Sequence, residues 1–211
     1  MGLRQIYDRH IMPRLVTLAC GQPAIEERRR MVVPLAKGRV FEIGCGGGLN
    51  QKLYDRDRVT ALAGIDPHGG LLANARAQAM EYGWDADLRE ASGEAIPFAD
   101  GSFDTVLCTY TLCSVDDPAQ VLSEMRRILK PGGRLLFLEH GRAPDAGVAR
   151  WQERIEPAWK PIAGGCHLTR PIGASLRRTG FEVEPLGQGY LPKTPKVMGW
   201  MEWGAARKAG V

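Results

Sequence analysis

The chemistry-bearing residues of this 211-residue chain begin at Val40-Phe41-Glu42-Ile43-Gly44-Cys45-Gly46-Gly47-Gly48. An apolar, strand-like run passes straight into a glycine cluster. Glycines let the backbone turn sharply and let a ligand approach with no Cβ in the way. Alone, such a cluster also fits a plain turn between strand and helix. The spacing narrows the reading. E-x-G-x-G-x-G differs from the dinucleotide pattern G-x-G-x-x-G, which brings a pyrophosphate to a helix N-terminus. Glu42 would repel a pyrophosphate and suits a ligand that carries positive charge. Further on, Ala63-Gly64-Ile65-Asp66 is an apolar strand ending in a carboxylate just before Pro67. A carboxylate there can accept the hydrogens of both ribose hydroxyls. By itself Asp66 reads as a cap or a turn residue; beside the glycine loop, ribose binding is favoured.

Two histidines are candidates for moving a proton. His140 follows Leu138-Glu139 at a strand end, on the edge where open α/β sheets bind ligands, and imidazole titrates near neutral pH. The alternative is a loop histidine bonded to backbone. His167 lies in Gly164-Gly165-Cys166-His167, a tight loop that is either structural or set against a pocket. Cys166 and His167 are adjacent and have no second ligand pair, so the spacing argues against a metal. Trp151 and Trp159 share one face of a helix, which favours core packing over the lining of an acceptor pocket. Arg170 either caps a helix or attracts an anionic acceptor, and both readings stay open. Cys45, Cys108 and Cys113 read as buried small apolar residues.

The elements that must position these groups alternate between strand and helix, the pattern of a mostly parallel sheet. Residues 3–19 read as an amphipathic helix interrupted near Pro13. A second helix starts near Pro23, suited to a first helical turn, and runs to about 36. Strands are expected at 39–43, 61–66, 87–90, 103–109 and 134–139. Helices are expected from the glycine loop to 54, and at 70–82, 118–129, 148–162 and 170–179. Pro131-Gly132-Gly133 reads as a strong breaker. Residues 181–186 and 196–206 read as a closing antiparallel pair.

Composition sets the outer bounds. Hydrophobic residues make up 44% and charged residues 25%, which is ordinary for a globular protein of one domain. The net charge of +4 is weak support for a nucleic-acid or membrane partner. The run Arg28-Arg29-Arg30 beside Glu26-Glu27 reads as the solvated face of a helix. There is no secretory signal and no apolar run long enough to span a membrane. Five cysteines with no paired spacing then suggest reduced thiols and a cytoplasmic protein.

Five stretches occur in an order and spacing that resemble the class I S-adenosylmethionine-dependent methyltransferases. They are Glu42 to Gly48, Asp66, Ala91-Ser92-Gly93-Glu94-Ala95-Ile96-Pro97-Phe98, Ser102-Phe103-Asp104-Thr105-Val106-Leu107-Cys108, and Leu129-Lys130-Pro131-Gly132-Gly133-Arg134-Leu135. S-adenosylmethionine has an ammonium, a carboxylate and a sulfonium but no phosphate, in keeping with Glu42 and the loop spacing. The resemblance implies a Rossmann-like α/β fold: a seven-stranded sheet of order 3-2-1-4-5-7-6, with strand 7 antiparallel and helices on both faces. It implies that Gly44, Gly46 and Gly48 pass under the methionine part of the cofactor and that Asp66 with Pro67 meets the ribose. It further implies that Ser92, Gly93 and Glu94 flank the adenine, with Ser92 where many relatives carry Asp. Thr109 and Tyr110 would close over the methionine part. S-adenosylhomocysteine would be the product.

A narrower resemblance rests on Cys108-Thr109-Tyr110-Thr111-Leu112-Cys113-Ser114-Val115, on Leu138-Glu139-His140, and on the run from Ile155 to Arg170 that contains Glu156-Pro157-Ala158-Trp159-Lys160 and Gly165-Cys166-His167-Leu168-Thr169-Arg170. These are similar to the family of alkyl-thiol S-methyltransferases and their bacterial homologues. The animal members carry a hydrophobic N-terminal anchor, and this chain starts instead with Met1-Gly2-Leu3-Arg4-Gln5, which argues against stable membrane anchoring. The expectation is a single domain over 1–211. Residues 1–37 would form a helical lid bearing Tyr7, His10, Ile11 and Leu15, residues 38–140 the cofactor-binding core, and residues 141–211 the substrate side. The acceptor is expected to be a small apolar molecule, foremost a thiol, with His140 or His167 assisting the proton. Lipid amines and quinone precursors are the alternative acceptors. A non-catalytic cofactor-binding module, a nicotinamide oxidoreductase and a nucleic-acid methyltransferase are disfavoured. The last would carry N-P-P-Y or D-P-P-Y where this chain has Cys108-Thr109-Tyr110-Thr111.

Overall fold

A computed structural model describes residues 12–210. Its centre is one sheet of seven strands in the order β3-β2-β1-β4-β5-β7-β6. The strands are β1 (Gly38–Ile43), β2 (Val59–Asp66), β3 (Ala86–Glu90), β4 (Phe103–Thr109), β5 (Leu129–His140), β6 (Phe181–Tyr190) and β7 (Trp200–Lys208). The first five pair in parallel, while β7 runs antiparallel to both β5 and β6. This is the expected order and the expected odd strand. The helices are α1 (Met12–Cys20), α2 (Pro23–Val32), α3 (Gly69–Glu81), α4 (Pro118–Ile128), α5 (Ala146–Ile162), α6 (Ile172–Arg178) and the single turn α7 (Lys196–Gly199).

Successive side chains of a strand point to opposite faces, so each strand feeds two cores. Phe41, Ile43, Val106, Leu135 and Phe137 pack with Val121, Leu122 and Met125 of α4 and Leu176 of α6. On the other face Val40, Leu107, Leu136 and Leu138 pack with Ile25 and Val32 of α2 and with Met201 and Trp203 of β7. α3 adds a small third cluster of Leu72 and Ala75 against Cys45 and Leu88.

Four details differ from the sequence expectation. The glycine loop leads into turns and a short 3-10 helix, Gln51–Leu53, rather than an α-helix. There Asn50 and Gln51 are buried, and the Gln51 carbonyl accepts the Trp84 indole N–H at 3.0 Å. Pro131-Gly132-Gly133 does not keep strand five from starting early. β5 begins at Leu129, and the extra residues are absorbed as an irregularity between the pairs Phe103–Leu129 and Thr105–Arg134. The segment 196–199 makes a helical turn after Pro192 and Pro195, so the last strand starts at Trp200. Trp151 is 56% exposed on α5, against the core packing expected of it.

The β5-β7-β6 ladder leaves no room beside Gly204. A Cβ there would stand 2.5 Å from the Glu184 carbonyl oxygen and 3.1 Å from the Phe137 ring. Both neighbours are fixed by strand pairing. Gly204→Ala is therefore expected to destabilise the fold by about 1–3 kcal/mol, the usual cost of overpacking. Gly70→Ala, placed in α3 where an added Cβ meets nothing within 4 Å, is expected to be neutral or stabilising. Urea midpoints of the two variants check the contrast, and a Gly204→Ala midpoint equal to wild type would refute it.

Candidate active site

The parallel strands end side by side. Ile43 pairs with both Ile65 and Cys108, and Thr109 pairs with Leu138. Every site residue expected from the sequence, apart from His167, lies within β1, β2, β4 or β5 near these ends or in the loops that follow the parallel strands.

The glycine loop takes left-handed backbone at Gly44, Gly46 and Gly48, with φ of 62°, 52° and 83°. A Cβ on Gly44 would sit 2.2 Å from Thr111 Oγ1, so the segment after β4 packs on bare backbone. Among the described residues an added Cβ at Gly46 would meet only the Gly44 carbonyl oxygen, at 4.0 Å. The space over Gly46 is a cradle that a side chain would fill. Above the loop lies α1, since a Cβ on Gly47 would stand 4.0 Å from Thr17 Oγ1. Of the lid residues named from the sequence, Leu15 is 46% exposed, and Tyr7, His10 and Ile11 lie outside the described residues.

Asp66 holds this loop. Its Oδ2 accepts the Gly46 N–H at 2.9 Å and its Oδ1 accepts the His68 N–H at 2.9 Å. Burial pushes its carboxyl above the ordinary range, and the two N–H groups oppose that shift. Pro67 is exposed beside it.

Glu42 is fully inside the protein, not open to a ligand. Its Oε1 accepts from Asn50 Nδ2 at 2.6 Å and its Oε2 from Tyr54 Oη at 2.8 Å. Burial raises its carboxyl to about 7, against the hydrogen bonds from Tyr54 and Asn50 and the charge of Arg29. Arg29 corrects the reading of the basic run as a solvated face. It is buried, and its Nη1 donates to Asn50 Oδ1 at 2.6 Å and to Thr109 Oγ1 at 2.8 Å. Its guanidinium lies 5.5 Å from the centre of the Tyr110 ring, and its Nε has no hydrogen-bond partner among the described residues. The signal was available: Ile25, Arg29 and Val32 fall on one helical stripe, and the structure buries all three. Tyr110 holds a left-handed φ of 56°, and its Oη contacts Met201 Sδ at 3.1 Å.

Past β3, Ser92 Oγ donates to the Glu94 carboxylate. The other Glu94 oxygen accepts the N–H groups of Asp116 and Asp117 at 3.2 and 3.3 Å, which ties this turn to the start of α4. Gly93 packs against Ile43 and Val121, where a Cβ would come within 2.9 Å of Ile43 Cδ1.

The end of β5 separates two acid–base groups by strand alternation. Glu139 turns towards β4 and the segment behind it, where Oε1 accepts from Thr111 N–H at 2.8 Å and Cys108 Sγ at 3.2 Å. Its burial raises the carboxyl to about 7. His140 is buried at 5% exposure, with Nδ1 at 3.9 Å from Cys166 Sγ and Nε2 without a partner among the described residues. His167 is separate from it. Its Nδ1 lies 2.9 Å from Glu156 Oε1, and Glu156 Oε2 accepts from the Thr169 N–H at 2.8 Å and hydroxyl at 2.7 Å. Arg170 neither caps a helix nor stands open for an anion. It donates to the carbonyls of Leu112 and Val115 and staples the segment after β4. Sequence reasoning passed over Glu139 and weighed Cys166 only as a metal ligand, because nothing in the sequence shows which face of β5 meets which loop.

Bare glycine backbone that meets little else among the described residues, with a carboxylate at the next strand end and a buried cation nearby, suits a nucleoside bearing an amino-acid group. The residues present fit S-adenosylmethionine. Comparison with known proteins agrees. A methyltransferase-domain family matches residues 41–137. The thiol S-methyltransferase TMT1B of Homo sapiens is 38% identical over 173 residues, which cover 78% of this chain and 71% of that protein. The chain is a class I S-adenosylmethionine-dependent methyltransferase. A phosphatidylethanolamine N-methyltransferase of Cereibacter sphaeroides is 35% identical over 143 residues, 64% of this chain and 70% of that protein. A crystal structure described as a SAM-dependent methyltransferase, possible histamine N-methyltransferase, from Thermotoga maritima shares the fold, with a TM-score of 0.64 over the whole of both chains at 21% identity. Among the described residues, no helix of this methyltransferase is long and apolar enough to cross a membrane.

Glu42 and Glu139 give the enzyme a pH-dependent stability. Both carboxyls sit near 7 in the folded chain, against an ordinary value of 4.5. The folded state therefore binds more protons than the unfolded state between these values. That stability is fully present below about pH 4.5 and is lost as pH rises through about 7. Glu42→Gln is expected to flatten this fall by about 3 kcal/mol, the scale set by the rise from 4.5 to about 7. Urea unfolding at the two ends of the range measures it, and an unchanged slope in Glu42→Gln would rule out this origin.

Proposed function

We propose that this methyltransferase acts on the sulfur of a small, apolar thiol. The observation that carries the acceptor class is the identity of 38% to TMT1B, which extends over most of both chains. We assign Gly44, Gly46 and Gly48 to the methionine part of the cofactor, and Asp66 with Pro67 to the ribose. Ser92, Gly93 and Glu94 border the adenine, and Thr109 and Tyr110 close over the methionine part. Glu42 acts through Asn50 and Tyr54 by holding the loop in shape. Arg29, whose Nε–H has no partner among the described residues, offers positive charge for the carboxylate.

Bound there, S-adenosylmethionine supplies an electrophilic methyl group on a sulfonium. The protein's own tasks are to orient the acceptor, exclude water and remove a proton. An alkyl thiol is mostly protonated at neutral pH, and the thiolate is the nucleophile. His140 Nε2 is the assigned acceptor of that proton, because it is buried at the sheet edge and free of other partners among the described residues. His167 is the second candidate; its imidazole already holds Glu156.

Asp66→Ala removes acceptors whose charge-assisted bonds are worth about 1.5–3 kcal/mol each. Calorimetry with S-adenosylhomocysteine is expected to show at least a tenfold loss of affinity (about 1.4 kcal/mol), and unchanged affinity in a folded variant would reduce Asp66 to a cap. His140→Ala is expected to lower thiol turnover by about 10²–10⁴-fold at neutral pH. The loss should shrink in alkaline solution, where the thiol ionises unaided, while cofactor affinity stays constant. The same profile for His167→Ala separates the two histidines. Turnover of a lipid amine or a quinol with no turnover of any alkyl thiol would overturn the thiol reading.

A further inference from the structure

The proton acceptor assigned above has a sulfur partner. Cys166 is fixed in place from several sides. Its own N–H donates to the Ala163 carbonyl at 3.1 Å, and the next residue's N–H donates to the Cys113 carbonyl at 2.8 Å. Gly165 is left-handed and packs so closely that a Cβ would lie 3.2 Å from the Ser114 carbonyl oxygen. The staple from Arg170 to Leu112 and Val115 holds the same two segments together. The result sets Cys166 Sγ at 3.9 Å from Nδ1 of His140 and leaves Nε2 of that ring buried and unpartnered among the described residues.

Which nitrogen of an imidazole carries the proton is decided by the bond that the other nitrogen makes. We propose that Cys166 is a positioning residue for methyl transfer: its sulfur accepts the Nδ1–H of His140, fixes that tautomer and leaves the lone pair on Nε2 for the acceptor's proton. In the step, the acceptor S–H bond breaks, its electron pair stays on sulfur, and the proton forms the Nε2–H bond of an imidazolium. A thiolate at Cys166 stabilises that cation, as a carboxylate does in other histidine pairs. The surroundings favour the thiolate. The thiol of Cys113 lies against Cys166, and the pair divides so that Cys113 is held up and Cys166 is held down. His140 and the Trp159 indole add to the lowering at Cys166, and burial opposes it. The other titratable groups nearby are Cys20 at the end of α1, Glu139 on β5, Arg170 before α6 and Arg29 on α2.

This assignment rests on His140 as the proton acceptor, and the test separates the two claims. The chain has four histidines, so nitrogen spectra of isotope-labelled imidazoles are assignable with His140→Ala as reference. The wild-type enzyme is expected to show His140 protonated at Nδ1. Cys166→Ala is expected to mix the tautomers and to lower kcat at least tenfold, within the about 10²–10⁴-fold that a base contributes. It should also alter the shape of the pH–rate profile, because the ring loses the sulfur beside Nδ1. S-adenosylhomocysteine affinity should hold, and Cys166→Ser should recover part of the rate. A wild-type ring protonated at Nε2 overturns the proposal and with it the assignment of Nε2 as proton acceptor; a Cys166→Ala enzyme with unchanged kcat and pH profile overturns the positioning role alone, and an impaired His140→Ala then leaves the proton-acceptor reading standing. Should Cys166→Ala not fold, the wild-type spectrum and the Cys166→Ser profile decide. Full activity of His140→Ala removes the base and the positioning role together.

Discussion

The buried carboxyl of Glu42 is the point on which the cofactor end of this methyltransferase depends. A carboxyl group inside an apolar sheet costs free energy unless its oxygens are hydrogen-bonded. Glu42 meets that demand with Asn50 and Tyr54, and Asn50 in turn bonds to Arg29 and to Thr109. Five residues from four segments of the chain thus form one connected group. The path of the glycine loop follows from it, because Asn50 comes two residues after Gly48 and cannot reach Glu42 unless the chain turns back on itself. Asp66 completes the loop from the other side through the Gly46 N–H. Neither acid needs a ligand to justify its burial, and both leave the loop preformed.

Strand alternation makes the second division of labour. Glu139 and His140 are neighbours in sequence and face opposite cores. Glu139 shapes the segment 111–113 from within by accepting its N–H groups. His140 faces the side on which α2 packs with the Met201 and Trp203 side chains, and Cys166 reaches it there. A shift of one residue in the β5–β7 register would exchange the two roles, and the pairing of His140 with Met201 and Glu139 with Glu202 prevents it.

The fold leaves the choice of acceptor to other parts of the chain, since one scaffold of this kind serves many chemistries. Here the segment after β4 and the loop between α5 and α6 meet beside His140. Arg170, Glu156 and the backbone bond from His167 to Cys113 lock these two stretches into one unit. The run that most resembles the thiol S-methyltransferases lies in that unit, as does the sulfur beside His140.

The sequence by itself determined the alternating elements, the closing antiparallel pair, the glycine loop and the strand-ending Asp66, and its resemblance to the methyltransferases supplied the strand order and the cofactor. The first group are local signals: an apolar run, a breaker and a carboxylate at fixed spacing report on short stretches whose geometry neighbours in sequence decide. It also named His140 and His167. Only the tertiary structure decided that Glu42 is enclosed rather than open to a cation, and that Arg29 turns inwards from a run of three arginines. The same holds for Cys166 as the partner of His140 and for Arg170 as a staple. Each of these depends on contacts between residues tens of positions apart, as Arg29 with Thr109 and Arg170 with Leu112 show. A charged side chain looks alike in sequence whether it meets water or a buried partner. The difference is the desolvation of the group and the hydrogen bonds that offset it, and both exist only once the sheet has brought the partners together.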